Sequence, residues 1–167
     1  MHSSLSIRSA GIEDVKTIGF LAHKIWPATY KEILSAEQRE YMMKLIYSTA
    51  SITRQIQEQK HSFLILEDDE APVGFASYSL LPDQKVYKLH KIYVLPHLQG
   101  RGLGKLMIDF IVDRIRSSGG AALQLNVNRY NQARRFYEKL GFRLIREEDI
   151  DIGQGYFMND YVMELPI

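Results

Sequence analysis

A strand that ends at a proline, and a glycine-rich turn that opens a helix, constrain this chain more than any other stretch. Leu89-His90-Lys91-Ile92-Tyr93-Val94-Leu95-Pro96 carries β-branched and aromatic residues and reads as a buried strand. Pro96, which has no N–H for a sheet ladder, stops it. Gln99-Gly100-Arg101-Gly102-Leu103-Gly104-Lys105 follows. From there Leu103, Leu106, Met107, Phe110, Ile111 and Ile115 recur at helical steps, which predicts one apolar face. The first turn of such a helix has unpaired N–H groups and the positive end of the dipole, and glycines let an anion reach the backbone. Arg101 and Lys105 add positive charge at the same corner. A phosphate-bearing ligand is therefore expected. No Walker sequence is present, and the alternating Gly100, Gly102 and Gly104 are spaced too closely for a dinucleotide fingerprint.

With 167 residues, the chain is expected to form a single domain over residues 1–167 with a sizeable core. A hydrophobic content of 46% and a charged content of 25% are those of an ordinary globular protein. A formal net charge of +1 gives no global field for nucleic acid or for a membrane surface. No apolar run approaches the roughly 18 residues of a membrane span, and Met1-His2-Ser3-Ser4 has no signal-peptide character. The absence of cysteine removes disulfides, thiolate metal sites and a cysteine nucleophile. A cytoplasmic protein is the expectation. No His/Asp/Glu spacing resembles a metal site.

Taken in order, alternation predicts a strand over Leu5–Arg8 and a helix from Ile12 to about Ile25, with Val15, Ile18, Leu21, Ala22 and Ile25 buried. Pro27 is expected to end that helix. A second helix after Ser35 would bury Tyr41, Met42, Leu45 and Ile46, and Ser51 would cap a third running to Gln59. Strands are then expected at Ser62–Leu66, Val73–Leu80 and Val86–Leu95, with turns at Glu67–Glu70 and Leu81–Gln84. They form an antiparallel meander. The helix Leu103–Ser118 leads through Gly119-Gly120 to a strand at Ala122–Val127, which a helical crossover makes parallel to the preceding one. A helix from Asn131 to Leu140, stopped by Gly141, precedes two closing strands, Phe142–Glu147 and Tyr156–Leu165. The fold class is α/β: a mixed, mostly antiparallel sheet with a central parallel pair and helices on both faces.

Gln99, Gly102 and Gly104, spaced Gln-x-x-Gly-x-Gly behind Val94-Leu95-Pro96, closely resemble the acetyl-CoA signature of the GCN5-related N-acetyltransferases. A second family pattern is matched by Asn131, Ala133, Phe136-Tyr137 and Gly141-Phe142, after Leu125-Asn126-Val127. The element order is also that of the family, so the resemblance covers essentially the whole chain. It implies the GNAT fold, acetyl-CoA as cofactor, and direct transfer of the acetyl group to an amine.

By the same resemblance, Gln99, Gly100, Arg101, Gly102, Leu103, Gly104 and Lys105 hold the pyrophosphate. Ile92, Tyr93 and Val94 lie beside the pantetheine arm, where a splayed strand exposes backbone groups. Asn131 bonds the pantetheine or adenylate end, with a helix N-cap as its plain reading, and Asn126 bonds either the pantetheine amide or the acceptor, against a plain polar strand end. Tyr137 matches the family tyrosine that protonates the leaving sulfur, against a plain helix tyrosine packed on the core. His90 is a candidate base, with water as the alternative. His23 and His97 are weaker candidates. The acceptor side falls to Trp26, Tyr30, Tyr78 and Asp160, with Trp26–Tyr30 read as either a lid or a packing staple. Asp160 would attract a cationic amine, whereas Glu147 and Glu148 read as a solvated loop. The terminal thirds are similar to the polyamine-acetylating, PaiA-like branch. The partner expected is a small-molecule amine, with a polyamine as the candidate, and no nucleic acid and no membrane; a homodimer paired through the last strands stays open. The alternatives are acetylation of a protein N-terminus or lysine, and a non-catalytic acyl-CoA-binding module.

Overall fold

The computed structural model describes residues 4–82 and 85–167. The turn expected at Leu81–Gln84 therefore falls in part outside the described residues. Among the described residues, seven strands form one sheet: β1 (Leu5–Ala10), β2 (Ser62–Asp68), β3 (Ala71–Leu80), β4 (Val86–Val94), β5 (Ala122–Asn128), β6 (Arg143–Gly153) and β7 (Tyr156–Pro166). Their order is β1-β2-β3-β4-β5-β7-β6. Five α-helices accompany them: α1 (Val15–Tyr30), α2 (Ala36–Tyr47), α3 (Thr49–Gln57), α4 (Leu103–Ser117) and α5 (Ala133–Lys139). This is the mixed α/β fold the sequence predicts. Among the described residues, no helix is long and apolar enough to cross a membrane.

Two compact units make up the chain: residues to Ser79 with Lys91–Asp109, and Leu80–His90 with Phe110–Ile167. In the first, β1 pairs antiparallel with β2, and β2 with β3. The Arg8 guanidinium forks onto Asp14 at 2.9 and 3.1 Å and ties β1 to the turn that opens α1. That pairing holds the Asp14 carboxyl below its usual range. Val15, Ile18, Leu21, Ala22 and Ile25 are buried as expected. Pro27, however, does not end α1, which continues to Tyr30. The last turn forgoes one backbone hydrogen bond, while Trp26 and Tyr30 stack with ring centroids 4.5 Å apart and bury the helix end.

Helix α2 starts where expected, with the Ser35 hydroxyl accepting from Gln38 N–H. Its buried face is Met42, Met43 and Tyr47 rather than the expected set, and Leu45 is exposed. Tyr47 decides this rotation by meeting Trp26 and Phe75. Helix α3 is capped by Ser48, not Ser51; Ser51 lies inside the first turn and its N–H donates to the Ser48 hydroxyl.

In the second unit, β4 and β5 pair in parallel from Val86↔Ala122 to Leu89↔Leu125, and β5 keeps its antiparallel ladder with β7 as far as Asn128. The buried residues of α4 are Leu103, Met107, Ile108, Ile111 and Ile115, so Leu106 lies off the expected face. Phe110 is half-buried, its ring covered by the Arg114 guanidinium. Strand β6 runs past the acidic residues expected to form a loop, and Glu147, Glu148 and Asp149 stand opposite Tyr161, Asp160 and Asn159. The hairpin turns at Gln154-Gly155, within the Gly153-Gln154-Gly155 stretch expected to separate the two closing strands.

Candidate active site

In the first unit, the corner after β4 is built from the backbone outward. Gly74 of β3 lies against it, where a Cβ would meet the Tyr93 carbonyl oxygen at 2.8 Å, so only glycine permits this approach. Leu95 N–H donates to the Val73 carbonyl, and Leu98 N–H to the Leu95 carbonyl. The Gln99 side chain reaches back to the Val94 carbonyl at 3.4 Å. Gly100 and Gly102 have φ of 81° and 77° with open space where a Cβ would stand. Conformation, not crowding, demands glycine there. Gly104 lies in the first turn of α4, whose ladder opens with Leu106 N–H on the Gly102 carbonyl. The N–H groups of Leu103, Gly104 and Lys105 precede that bond and have no partner within the helix. Arg101 is exposed with no side-chain partner among the described residues, and Lys105 pairs with Asp109 at 2.7 Å.

Beneath the same strand, Lys91 is only 7% exposed. Its Nζ donates to Gln55 Oε1 at 2.6 Å and lies 5.8 and 5.6 Å from the Tyr47 and Phe63 ring centres. Gln55 donates in turn to the Ile46 carbonyl and the Ser51 hydroxyl. Burial pushes the Lys91 ammonium down to about 8. Burial also holds the Tyr47 phenol well above its ordinary range, although it hydrogen-bonds Tyr93. Trp26, Tyr30 and Tyr78 are buried in this unit, and Trp26 is 2% exposed. A helical tryptophan so covered serves packing whatever else it does.

In the second unit, Tyr137 is fixed by the way α5 ends. Gly141 N–H donates to the Glu138 carbonyl and Phe142 N–H to the Tyr137 carbonyl, a Schellman closure. The Tyr137 ring meets Phe142 at 5.7 Å and Phe136 at 5.3 Å. Gly141 thus stops the helix as expected. Asn131 lies just ahead of α5, where its side chain accepts from Ala133 N–H at 2.9 Å.

The β4–β5–β7–β6 face carries a polar group of side chains. Asn126 Nδ2 donates to Asp160 Oδ2 at 3.2 Å. Asp160 stands in register with Asn128 on one side and Glu148 on the other. Lys88 shares this face through its pairing with Gln124, and His90 shares it by alternation along β4. Burial lowers the Lys88 ammonium and raises the Asp160 carboxyl, while Arg146, 2.7 Å from Glu148, holds the Glu148 carboxyl low. Asn126 and Asp160, both expected from the sequence, are brought together. Glu148 is half-buried and belongs to this face, which corrects its reading as a solvated loop residue. Lys88, Lys91 and Asn128 carry no motif, and only strand register reveals them.

The fold is similar to the crystal structure of PaiA N-acetyltransferase from Thermoplasma acidophilum in complex with coenzyme A. The TM-score is 0.82 and the identity 26%, over 98% of this chain and 99% of that one. Fold and site together define an N-acetyltransferase. More particularly, residues 20–142 match the Acetyltransferase (GNAT) family, and the chain belongs to it. Among its relatives, the spermidine N(1)-acetyltransferase of Thermoplasma acidophilum is 26% identical over 96% of either chain. The [ribosomal protein bS18]-alanine N-acetyltransferase of Haemophilus influenzae is 27% identical over 77% of this chain and 81% of its own length.

Proposed function

We propose that this protein is an acetyl-CoA-dependent N-acetyltransferase whose acceptor is the primary amine of a small cationic molecule, a polyamine in the first instance. The observation that carries the acceptor class is the buried Asp160 carboxylate on the polar sheet face. Similarity to a spermidine acetyltransferase over nearly the full chain supports it.

Acetyl-CoA fits the residues present. Two glycines with positive φ and open space lead into the free N–H groups of α4, the arrangement a diphosphate requires. Gln99 to Lys105 would hold that end, Arg101 with its uncommitted guanidinium foremost. Strand β4 continues to Val94 after its parallel ladder stops at Leu89, so Ile92, Tyr93 and Val94 offer backbone groups to the amides of the arm. Asn126 and Asn131 are assigned to the same ligand. When bound, acetyl-CoA supplies an activated acetyl thioester. The chain's own task is to orient the amine, remove a proton from it, and deliver one to the departing thiolate. Tyr137, positioned by the closure of α5, gives that second proton. His90 and Asp160 both face the side from which the amine would be deprotonated. Trp26, Tyr30 and Tyr78 shape the acceptor side from within the core.

The relationship to a bS18-alanine acetyltransferase favours a second reading, in which the acceptor is a protein N-terminus. Calorimetry with acetyl-CoA, run beside a thiol-release assay over spermidine, simple monoamines and alanyl peptides, tests both. Thiol release with spermidine supports the first reading. Binding without release on every amine would leave only an acyl-CoA-binding module.

A further inference from the structure

We propose that Asp160 of β7 seats the ammonium group of the acceptor on Oδ1 and takes its proton, and that Asn126 is the positioning residue that aims it. This rests on the acetyl-transfer reading above and assigns one step within it.

Asp160 is 6% exposed, and its two oxygens differ in their surroundings. Oδ2 accepts from Asn126 Nδ2 at 3.2 Å. Oδ1 is buried with no hydrogen-bond partner among the described residues. A buried carboxylate oxygen without a donor is costly and calls for an explanation. The nearby cations do not provide it. Arg146 is engaged by Glu148 at 2.7 Å and Arg129 by Asp149 at 2.6 Å, while Lys88 makes neither a hydrogen bond nor an ion pair with Asp160 among the described residues. The groups that bear on this carboxyl are Lys88 from β4, Asn126 from β5, Arg129 just beyond it, and Glu148 with its partner Arg146 from β6. Burial, with Glu148, outweighs the lowering by Asn126, Lys88 and Arg129 and raises the Asp160 carboxyl, which makes it a stronger proton acceptor than an exposed aspartate.

An ammonium ion complements such an oxygen because it brings both the missing donor and the charge. In the step assigned, one N–H bond of the ammonium breaks and an O–H bond forms at Oδ1. The electron pair stays on nitrogen, which becomes the neutral nucleophile, and Asp160 becomes a neutral carboxylic acid. No other reactant is needed.

The experiment is the pH profile of kcat/KM for spermidine, measured by thiol release at saturating acetyl-CoA, for the wild type and for Asp160→Asn, Asp160→Glu, Asn126→Ala and His90→Gln. Asp160→Asn should lower kcat/KM about 100-fold and abolish the acid limb, with acetyl-CoA affinity by calorimetry unchanged within about twofold. Asp160→Glu should recover part of the rate together with an acid limb. Asn126→Ala should move that limb to higher pH, because its amide favours the ionised carboxylate; this readout holds even if Asp160→Asn fails to fold. Wild-type kcat/KM with an intact acid limb in Asp160→Asn, or loss of the limb in His90→Gln alone, overturns the inference and leaves the acetyl-transfer reading standing. Absence of thiol release by the wild type overturns that reading, and this inference with it.

Discussion

Lys91 places an ammonium group among rings and one amide, with no ion pair to a carboxylate among the described residues. Its pKa of about 8, depressed by burial, sets a sign for stability. Above about pH 8 the folded state sheds this proton while the unfolded state keeps it to the ordinary lysine range. Stability from this group therefore rises from about pH 8 to about pH 10, by up to about 3 kcal/mol in the limit of complete linkage. Thermal melts should show that rise in the wild type and a flatter profile in Lys91→Met; equal slopes would contradict the assignment. Tyr137 belongs to the same scale. Tyr137→Phe keeps the ring contacts with Phe136 and Phe142 and removes only the hydroxyl. Turnover should fall about 100-fold while acetyl-CoA affinity holds, as read by thiol release and calorimetry. Tyr137 was legible in the sequence because it stands in a motif whose neighbours fix a local helix end. Lys91 and the Asn126–Asp160 contact were less so, since their hydrogen-bond partners lie 36 and 34 positions away in the chain.

Among elements, those built by local rules follow the sequence closely. The strand–glycine–helix corner, the Ser35 cap and the Gly141 stop lie where their residue types put them. Departures occur where distant packing outweighs a local signal. Helix α1 passes Pro27 because Trp26 and Tyr30 are buried on either side of it, and β6 keeps its acidic residues because β7 pairs with them. Pro27→Ala should restore a backbone donor inside α1 and stabilise the protein by about 1 kcal/mol or more, seen as a higher melting temperature. A lower one would mean that the proline ring itself is needed in the core. At the corner, Gly102→Ala forces a side chain onto a φ of 77°. It should weaken acetyl-CoA binding about tenfold, with a loss of about 1 kcal/mol in stability, measured by calorimetry and denaturant titration.

At the scale of the whole molecule, one sheet combines an antiparallel majority with the parallel pair β4–β5, whose ladder covers four residue pairs. The sequence announced that arrangement through its element order. The identity of the acceptor was less legible, because the face proposed to receive it is assembled from four strands, and relatives of comparable identity are named for spermidine and for an alanine of ribosomal protein bS18. A competition decides between them: acetyl-CoA with equal concentrations of spermidine and a peptide beginning with alanine, the products resolved by mass spectrometry. The account predicts that the acetyl group appears on the polyamine. Acetylated peptide beside unmodified spermidine would contradict it.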